Sequence, residues 1–170
     1  RIFLPELDAA FETTQNNPHH CYTVGEHLMH CMLYTESDKS MRIAALLHDI
    51  GKPVTRTTDE QGIDHFHGHA GVGEEMAARI LRRLKFDNDT ITHVRKLVKY
   101  HDYPIETTPR AVRRAINTIG ETYFSDVLAI KKADMMAQST YQRQEKEDHL
   151  AQVEALYQQI LEQNQCVSLK

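Results

Sequence analysis

His48 and Asp49 set an imidazole beside a carboxylate at the end of an apolar run, Met41-Arg42-Ile43-Ala44-Ala45-Leu46-Leu47, ahead of a Gly51-Lys52-Pro53 breaker. Met41, Ala44, Ala45 and His48 fall on one helical face, so His48 points toward the core and a bare carboxylate follows it. Burying that carboxylate unpaired would cost roughly several kcal/mol, so a metal ion or a basic partner is expected beside it.

Helical phase sorts the other ionisable groups among the eleven histidines and the acidic residues. His27 shares a face with Val24, Leu28 and Cys31; His69 heads a segment in phase with Val72, Met76 and Ile80; His101 closes one in phase with Val94, Leu97 and Val98. Asp134 lies on the stripe of Val127, Ile130 and Ala137, and an aspartate is rarely buried alone. Together with His48 and Asp49, this aims six ionisable side chains from five helices at one interior.

Each residue taken singly also has a structural reading. A lone inward histidine is more often a hydrogen-bonded core residue than a ligand, Asp134 could pair with Arg42 or Lys131, and Asp49 could cap a turn. All six being structural at once is not a credible reading. His93, His149 and His30 fall on polar faces and read as surface residues. His65 and His67 alternate on a short extended segment, and the sequence does not choose between cleft and solvent for them.

The elements that must carry these groups are helical. Hydrophobic periodicity predicts helices near 3–11, 22–35, 40–49, 70–85, 88–102, 109–119, 121–138 and 143–163. One stretch reads differently: β-branched residues in 54–58 and 63–66 flank a Gly62-containing turn, which predicts a short hairpin. The expected fold is all-α with this small β excursion, in a single domain spanning 1–170 with its core at about 20–138. The last helix carries Leu150, Val153, Leu156, Tyr157 and Ile160 on one stripe; packing within the chain is favoured, and the stripe leaves room for a homodimer.

Composition limits the function classes. With 41% hydrophobic and 26% charged residues, the 170-residue chain is a soluble globular type, and its net charge of −4 argues against a surface built chiefly for nucleic-acid phosphates. Cys21, Cys31 and Cys166 are odd in number and widely spaced, which fits free thiols in a reducing compartment. With no membrane-length apolar run and no secretion signal, a cytoplasmic location is expected. The chain starts at Arg1 rather than Met and is read as belonging to a longer protein or to a free-standing relative of one.

The ordered set His27, His48-Asp49 and Asp134 resembles the defining pattern of the HD-domain superfamily of metal-dependent phosphohydrolases. His69 and His101 resemble the second-metal ligands of its binuclear members. The segments Asn17-Pro18-His19-His20-Cys21-Tyr22-Thr23-Val24-Gly25-Glu26-His27, Leu46-Leu47-His48-Asp49-Ile50-Gly51-Lys52-Pro53, Gly68-His69-Ala70, Tyr100-His101-Asp102 and Lys132-Ala133-Asp134-Met135-Met136-Ala137-Gln138 are similar to the HD domain of bacterial CCA-adding tRNA nucleotidyltransferases. The similarity covers roughly residues 3–160. The nucleotidyltransferase head of those enzymes is missing from these residues, as is the Gly-Tyr-Pro signature of the cyclic-di-nucleotide branch.

The resemblance implies an HD-domain helical bundle with phosphatase or phosphodiesterase activity on nucleotides or RNA ends. Its metal ligands would be His27, His48, Asp49 and Asp134 for a first ion, with Asp49 bridging to a second held by His69 and His101. Imidazole and carboxylate together suit Mn, Fe, Ni, Co or Zn better than a wholly oxygen-ligated Ca or Mg site; one or two divalent ions from Mn, Fe, Ni, Co, Zn or Mg are expected. Two ions about 3.5–4 Å apart would clamp a phosphoryl oxygen and acidify a water. Lys52 could hold a phosphate oxygen, and His20 could protonate the leaving group or orient the substrate; for both, a solvated loop residue is an equal alternative. The partner is then a nucleotide or other phosphoester. The rival expectation is a non-catalytic accessory domain that binds tRNA, motivated by the cluster Arg79, Arg82, Arg83 and Lys85.

Overall fold

A computed structural model describes residues 3–168, with side chains as far as Asn164. The chain order is α1 (Pro5–Glu12), α2 (Val24–Leu33), α3 (Lys39–Leu47), α4 (Lys52–Thr55), β1 (Thr57–Thr58), β2 (Asp64–His65), α5 (His69–Arg83), α6 (Asn88–Tyr100), α7 (Pro109–Ile119), α8 (Glu121–Ala137) and α9 (Arg143–Ser168). The helical bundle with a minute hairpin is the architecture expected from periodicity. Side-chain caps start several helices where expected: Thr23 and Glu26 form a reciprocal capping box on α2, and Asp38, Asp87 and Thr108 accept from backbone amides at the starts of α3, α6 and α7.

Helices α2, α3, α6 and α8 surround the core, whose largest fully buried side chains include Phe124, Leu28, Leu47, Ile80 and Leu97. The stripe of α9 is used within the chain: Leu150, Val153, Tyr157 and Ile160 are buried where α9 packs on α7 and α8, and the Tyr157 ring lies 4.8 Å from that of Phe124. Cys21 and Cys31 are free thiols; the side chain of Cys166 lies outside the described residues. Among the described residues, no helix is long and apolar enough to cross a membrane.

Two local expectations need correction. Val54 and Thr55 are helical rather than extended, because Pro53 pre-sets the first turn of α4 and the Thr55 hydroxyl donates back to the Gly51 carbonyl at 3.0 Å. The hairpin is therefore only two residues a side, with Thr57 opposite His65 and Thr58 opposite Asp64. Of the stripe expected to share a face with His69, Ile80 is buried and Met76 packs half-buried on the core, and Val72 alone falls outside it. Val72 is 38% exposed, and the buried face of α5 is formed by Gly73, Ala77, Ala78, Ile80 and Leu81. His69 instead heads α5 directly after Gly68, whose φ of 76° is the left-handed value that glycine adopts without strain.

A close backbone approach sets this end of α5. A Cβ on Gly51 would sit 2.3 Å from the carbonyl oxygen of His69 and 2.8 Å from the amide nitrogen of Gly73. The turn after Asp49 therefore lies directly on the first turn of α5, which brings His69 alongside Asp49. The matching position is looser: a Cβ on Gly73 would meet the Val98 methyl at 3.3 Å and nothing nearer.

The hairpin is held to the N-terminal loop by Asp64, a buried carboxylate that accepts from the Asn16 amide (2.8 Å), the Thr58 hydroxyl (2.8 Å) and Arg56 Nε (3.0 Å). Burial opposes its charge, but these donors outweigh it and hold the carboxyl below its usual value. The stabilisation is complete above the unfolded carboxyl value of about 3.9 and is lost as pH falls through the lower folded value.

Two stability predictions follow from these contacts. Gly51→Ala should lower stability by more than about 2 kcal/mol, because only backbone can give way, whereas Gly73→Ala should cost clearly less; equal melting temperatures would disprove the close-approach account. Asp64→Asn should cost roughly 1–3 kcal/mol at pH 7, with its deficit against the parent shrinking below about pH 4. Denaturant titrations across pH would expose a constant deficit, which would contradict the assigned role of the charge.

Candidate metal centre

Three histidines reach the interior in the same way. His48, His69 and His101 each use Nδ1 to donate to the carbonyl three residues earlier, that of Ala45, Phe66 and Val98, at 2.8 Å in all three cases. His48 and His101 stand just past the ends of α3 and α6, and His69 opens α5, so each bond also satisfies a carbonyl at a helix end or turn. The fourth, His27 on α2, directs Nδ1 to the Ala137 carbonyl at 3.4 Å. With Nδ1 carrying the proton, every Nε2 presents a lone pair inward.

Those lone pairs meet. His27 Nε2 lies 3.2 Å from His48 Nε2, and His69 Nε2 lies 3.2 Å from His101 Nε2. Two unprotonated nitrogens so close repel unless a cation or proton lies between them. Two carboxylates join the four rings. Asp134 Oδ1 is 2.9 Å from His27 Nε2 and 3.7 Å from His48 Nε2. Asp49 turns Oδ2 toward His27 (3.6 Å) and His48 (3.4 Å), and Oδ1 toward His69 (3.2 Å) and His101 (3.4 Å).

The donor set fits divalent metal. His27, His48, Asp49 and Asp134 form one group able to hold an ion, and Asp49, His69 and His101 form a second. Metal–ligand bonds of about 2.0–2.2 Å put neighbouring donor atoms roughly 3–3.5 Å apart, the range occupied by most of these pairs. Imidazole and carboxylate donors together exclude no first-row divalent ion, so metal identity is left open by the chemistry.

Electrostatics point the same way. Burial would raise the Asp49 carboxyl, yet Lys52 and His48 hold it well below the usual carboxylate range. Burial likewise opposes the charge of Asp134, which the adjacent His27 and His48 hold well below that range. His48 rises well above its usual value despite burial, chiefly because of Asp49. The pocket thus stabilises both negative charges and attracts positive charge.

Lys52 and His20 sit at the edge of this cluster. Lys52 is only 6% exposed, and its ammonium donates to Asp49 Oδ2 at 2.7 Å and to Gln15 Oε1 at 2.8 Å. It also reaches His20 Nε2 at 3.5 Å, which makes that nitrogen an acceptor and leaves the proton on Nδ1. His20 Nδ1 is buried and has no hydrogen-bond partner among the described residues. Burial, followed by the charge of Lys52, pushes the His20 imidazole down to about 3.

The alternative partners fall away. Among the described residues no ion pair joins Asp134 to Arg42 or Lys131; its carboxylate, 19% exposed, instead accepts from Gln138 Nε2 at 3.1 and 3.2 Å. Gln138 passes the contact on, since its Oε1 accepts from Lys146 at 2.7 Å. His30 stacks on Tyr22, and His93 bonds Asp126 at 2.7 Å, both away from the cluster. His149 is exposed and reaches the Ile105 carbonyl at 2.9 Å. His65 pairs with Asp59 and stacks on His67, and both line a cleft of about 690 Å³ with His20, Lys52 and His69.

Gln15, Lys146 and Gly51 are the contributors that sequence reasoning missed. Gln15 lies in a loop without periodicity, and Lys146 lies in a polar run that reads as solvated surface. Gly51 was visible only as a breaker, not as a point of backbone contact.

Comparison with known proteins agrees with this geometry. The HD-domain family model matches residues 19–153, a span that contains every residue of the two donor groups. The chain is 34% identical over 141 residues to the A-adding tRNA nucleotidyltransferase of Deinococcus radiodurans, covering 80% of this chain and 32% of that protein. It is 32% identical over 149 residues to the CC-adding tRNA nucleotidyltransferase of Thermus thermophilus, covering 84% and 34%. A bifunctional uridylyltransferase/uridylyl-removing enzyme of Streptomyces coelicolor is 27% identical over 149 residues, or 79% of this chain and 16% of that one. The chain thus spans about a third of the length of the two tRNA nucleotidyltransferases it matches. With a match across most of its length and the paired His and Asp donors in its interior, this chain belongs to the HD-domain family.

Proposed function

We propose that the chain is a divalent-metal-dependent phosphohydrolase acting on nucleotide or RNA-end phosphoesters. One observation carries the reading: the two oxygens of Asp49 face two separate imidazole pairs, the arrangement that a carboxylate bridging two ions requires. His27, His48, Asp49 and Asp134 would hold the first ion, and Asp49, His69 and His101 the second. Divalent ions there would supply positive charge to a phosphoryl oxygen and make a water acidic enough to attack phosphorus near neutral pH.

The remaining work falls to side chains at the rim. Lys52 anchors Asp49 and brings an ammonium to the cleft wall, where it also meets an incoming phosphate oxygen. His20 enters as a neutral ring with a free Nδ1–H, so it suits orienting an ester or leaving-group oxygen by hydrogen bonding better than delivering a proton. Gln138 holds Asp134 against rotation through both carboxylate oxygens.

A second reading, an accessory domain that binds tRNA without catalysis, draws its support from the names of the two tRNA nucleotidyltransferase relatives. Its basic cluster is partly engaged elsewhere: Arg83 forks onto Glu6 at 2.7 and 2.8 Å. Arg79, Arg82 and Lys85 are exposed.

Purified protein supplied in turn with Mn, Fe, Ni, Co, Zn and Mg should hydrolyse generic or cyclic-nucleotide phosphoesters with at least one of them. Asp49→Ala should reduce both turnover, by at least about 100-fold, and the number of ions bound per chain measured by elemental analysis. An Asp49→Ala protein as active as its parent would sink the hydrolase reading. Salt-dependent tRNA binding that survives chelation, without turnover at any metal, would favour the accessory reading; absence of RNA binding at low salt would remove it.

A further inference from the structure

A second cleft opens on the other side of the centre. It has a volume of about 370 Å³, lies between α8 and α9, and is lined by His101 and Asp134 together with Lys131, Lys146, Met135 and Leu150. Asp102, Gln138 and Lys146 line both this cleft and the larger one beside the hairpin, so the two meet over the metal-ligand cluster.

Lys131 is the unusual group here. It is half-buried, one turn before Asp134 on α8, and no hydrogen bond or ion pair engages its ammonium among the described residues. Every other half-buried or buried lysine and arginine around the centre is in use: Lys52 on Asp49 and Gln15, Lys146 on Gln138 and His19, and Arg143 on the Gln138 carbonyl. Burial depresses the Lys131 ammonium, so an anionic partner would relieve a standing cost. Asp102 and Asp134 favour the ammonium charge only through space, and among the described residues neither forms an ion pair with it. Asp102 is turned toward His69 at 3.7 Å, Asp134 is held by His27 and Gln138, and Glu145 is exposed.

Resting on the phosphohydrolase reading, we infer that Lys131, with Lys146 across the cleft, forms a subsite for a second phosphate of the substrate. Residues three apart on a helix have Cβ atoms about 5–6 Å apart, so a second phosphate reaches Lys131 when the reacting one sits at Asp134. The substrate class this selects is a nucleotide carrying two separated phosphates. A nucleoside bisphosphate and a 5′-phosphorylated strand end share that chemistry. The apolar wall of Met135 and Leu150 offers room for the sugar or base between them.

The probes are adenosine 5′-monophosphate, adenosine 3′,5′-bisphosphate and the dinucleotide pApA, assayed on the metal-loaded protein. Lys131→Met should raise KM for a two-phosphate probe at least tenfold more than for the monophosphate, with kcat less affected, and Lys131→Arg should recover most of the loss. Glu145→Gln, a change at an exposed carboxylate, should tighten the two-phosphate probes relative to the monophosphate. A response confined to the bisphosphate or to pApA identifies which source the cleft accepts. Equal changes for all three probes, or none, would overturn the subsite. The hydrolase reading is decided separately, by turnover of the generic and cyclic-nucleotide phosphoesters; if the parent turns over none of the three probes here, calorimetry with them still decides the subsite: a loss of at least tenfold in two-phosphate affinity on Lys131→Met supports it, and unchanged affinity rejects it. Melting temperatures of the variants separate misfolding from lost recognition.

Discussion

Four imidazole nitrogens and two carboxylates are forced into one buried volume, and the rest of the structure is arranged around that constraint. The backbone solves half of it. Because the Nδ1–H groups of His48, His69 and His101 are each occupied by the carbonyl three residues back, tautomer and ring orientation are set by contacts local in sequence. Packing the helices together then brings lone pair against lone pair at 3.2 Å. With every Nδ1–H already committed, each close Nε2 pair needs a metal ion or a proton between its nitrogens, and the two adjoining carboxylates favour either positive charge.

Holding such a cluster takes support from elements that share no face with it. The Gly51 contact lets the turn after Asp49 lie on the first turn of α5, and His69 arrives with it. From the other side, Asp64 ties the hairpin to Asn16, while the neighbouring Gln15 accepts from Lys52, whose ammonium bonds Asp49. A two-residue hairpin has little stability of its own. Its role is mechanical, since it closes a chain of contacts from a surface loop to the Asp49 carboxylate. On the far wall, Lys146, Gln138 and Asp134 form the corresponding chain from α9.

How much of this was legible depended on whether the signal was periodic. The helices near 109–119 and 121–138 were readable almost to their observed bounds because Pro109 and Gly120 punctuate them, with apolar residues on one face in the first and throughout much of the second. The inward aim of His27, His48 and His101 followed from the same periodicity. For His69 periodicity holds at Ile80 but not at Val72, which is exposed, and the ring enters from the helix start. Short α4 was read as strand because β-branched Val54 and Thr55 outweighed the local effect of Pro53. Gln15 and Lys146 left no trace, since single polar contacts from loops and helix rims carry no period.

Charge placement resolves a tension in the composition. A chain of net charge −4 is a poor general attractor of phosphates, yet Lys52, Lys131 and Lys146 all line the two clefts that meet over the His and Asp cluster. Low-dielectric walls make such cations count for more than the same charges on open surface. The acidic excess is not uniform, since Arg79, Arg82 and Lys85 leave an exposed basic stretch on and just after α5. The partly enclosed cleft lysines therefore differ electrostatically from the open α5 arginines, of which Arg83 is already committed to Glu6.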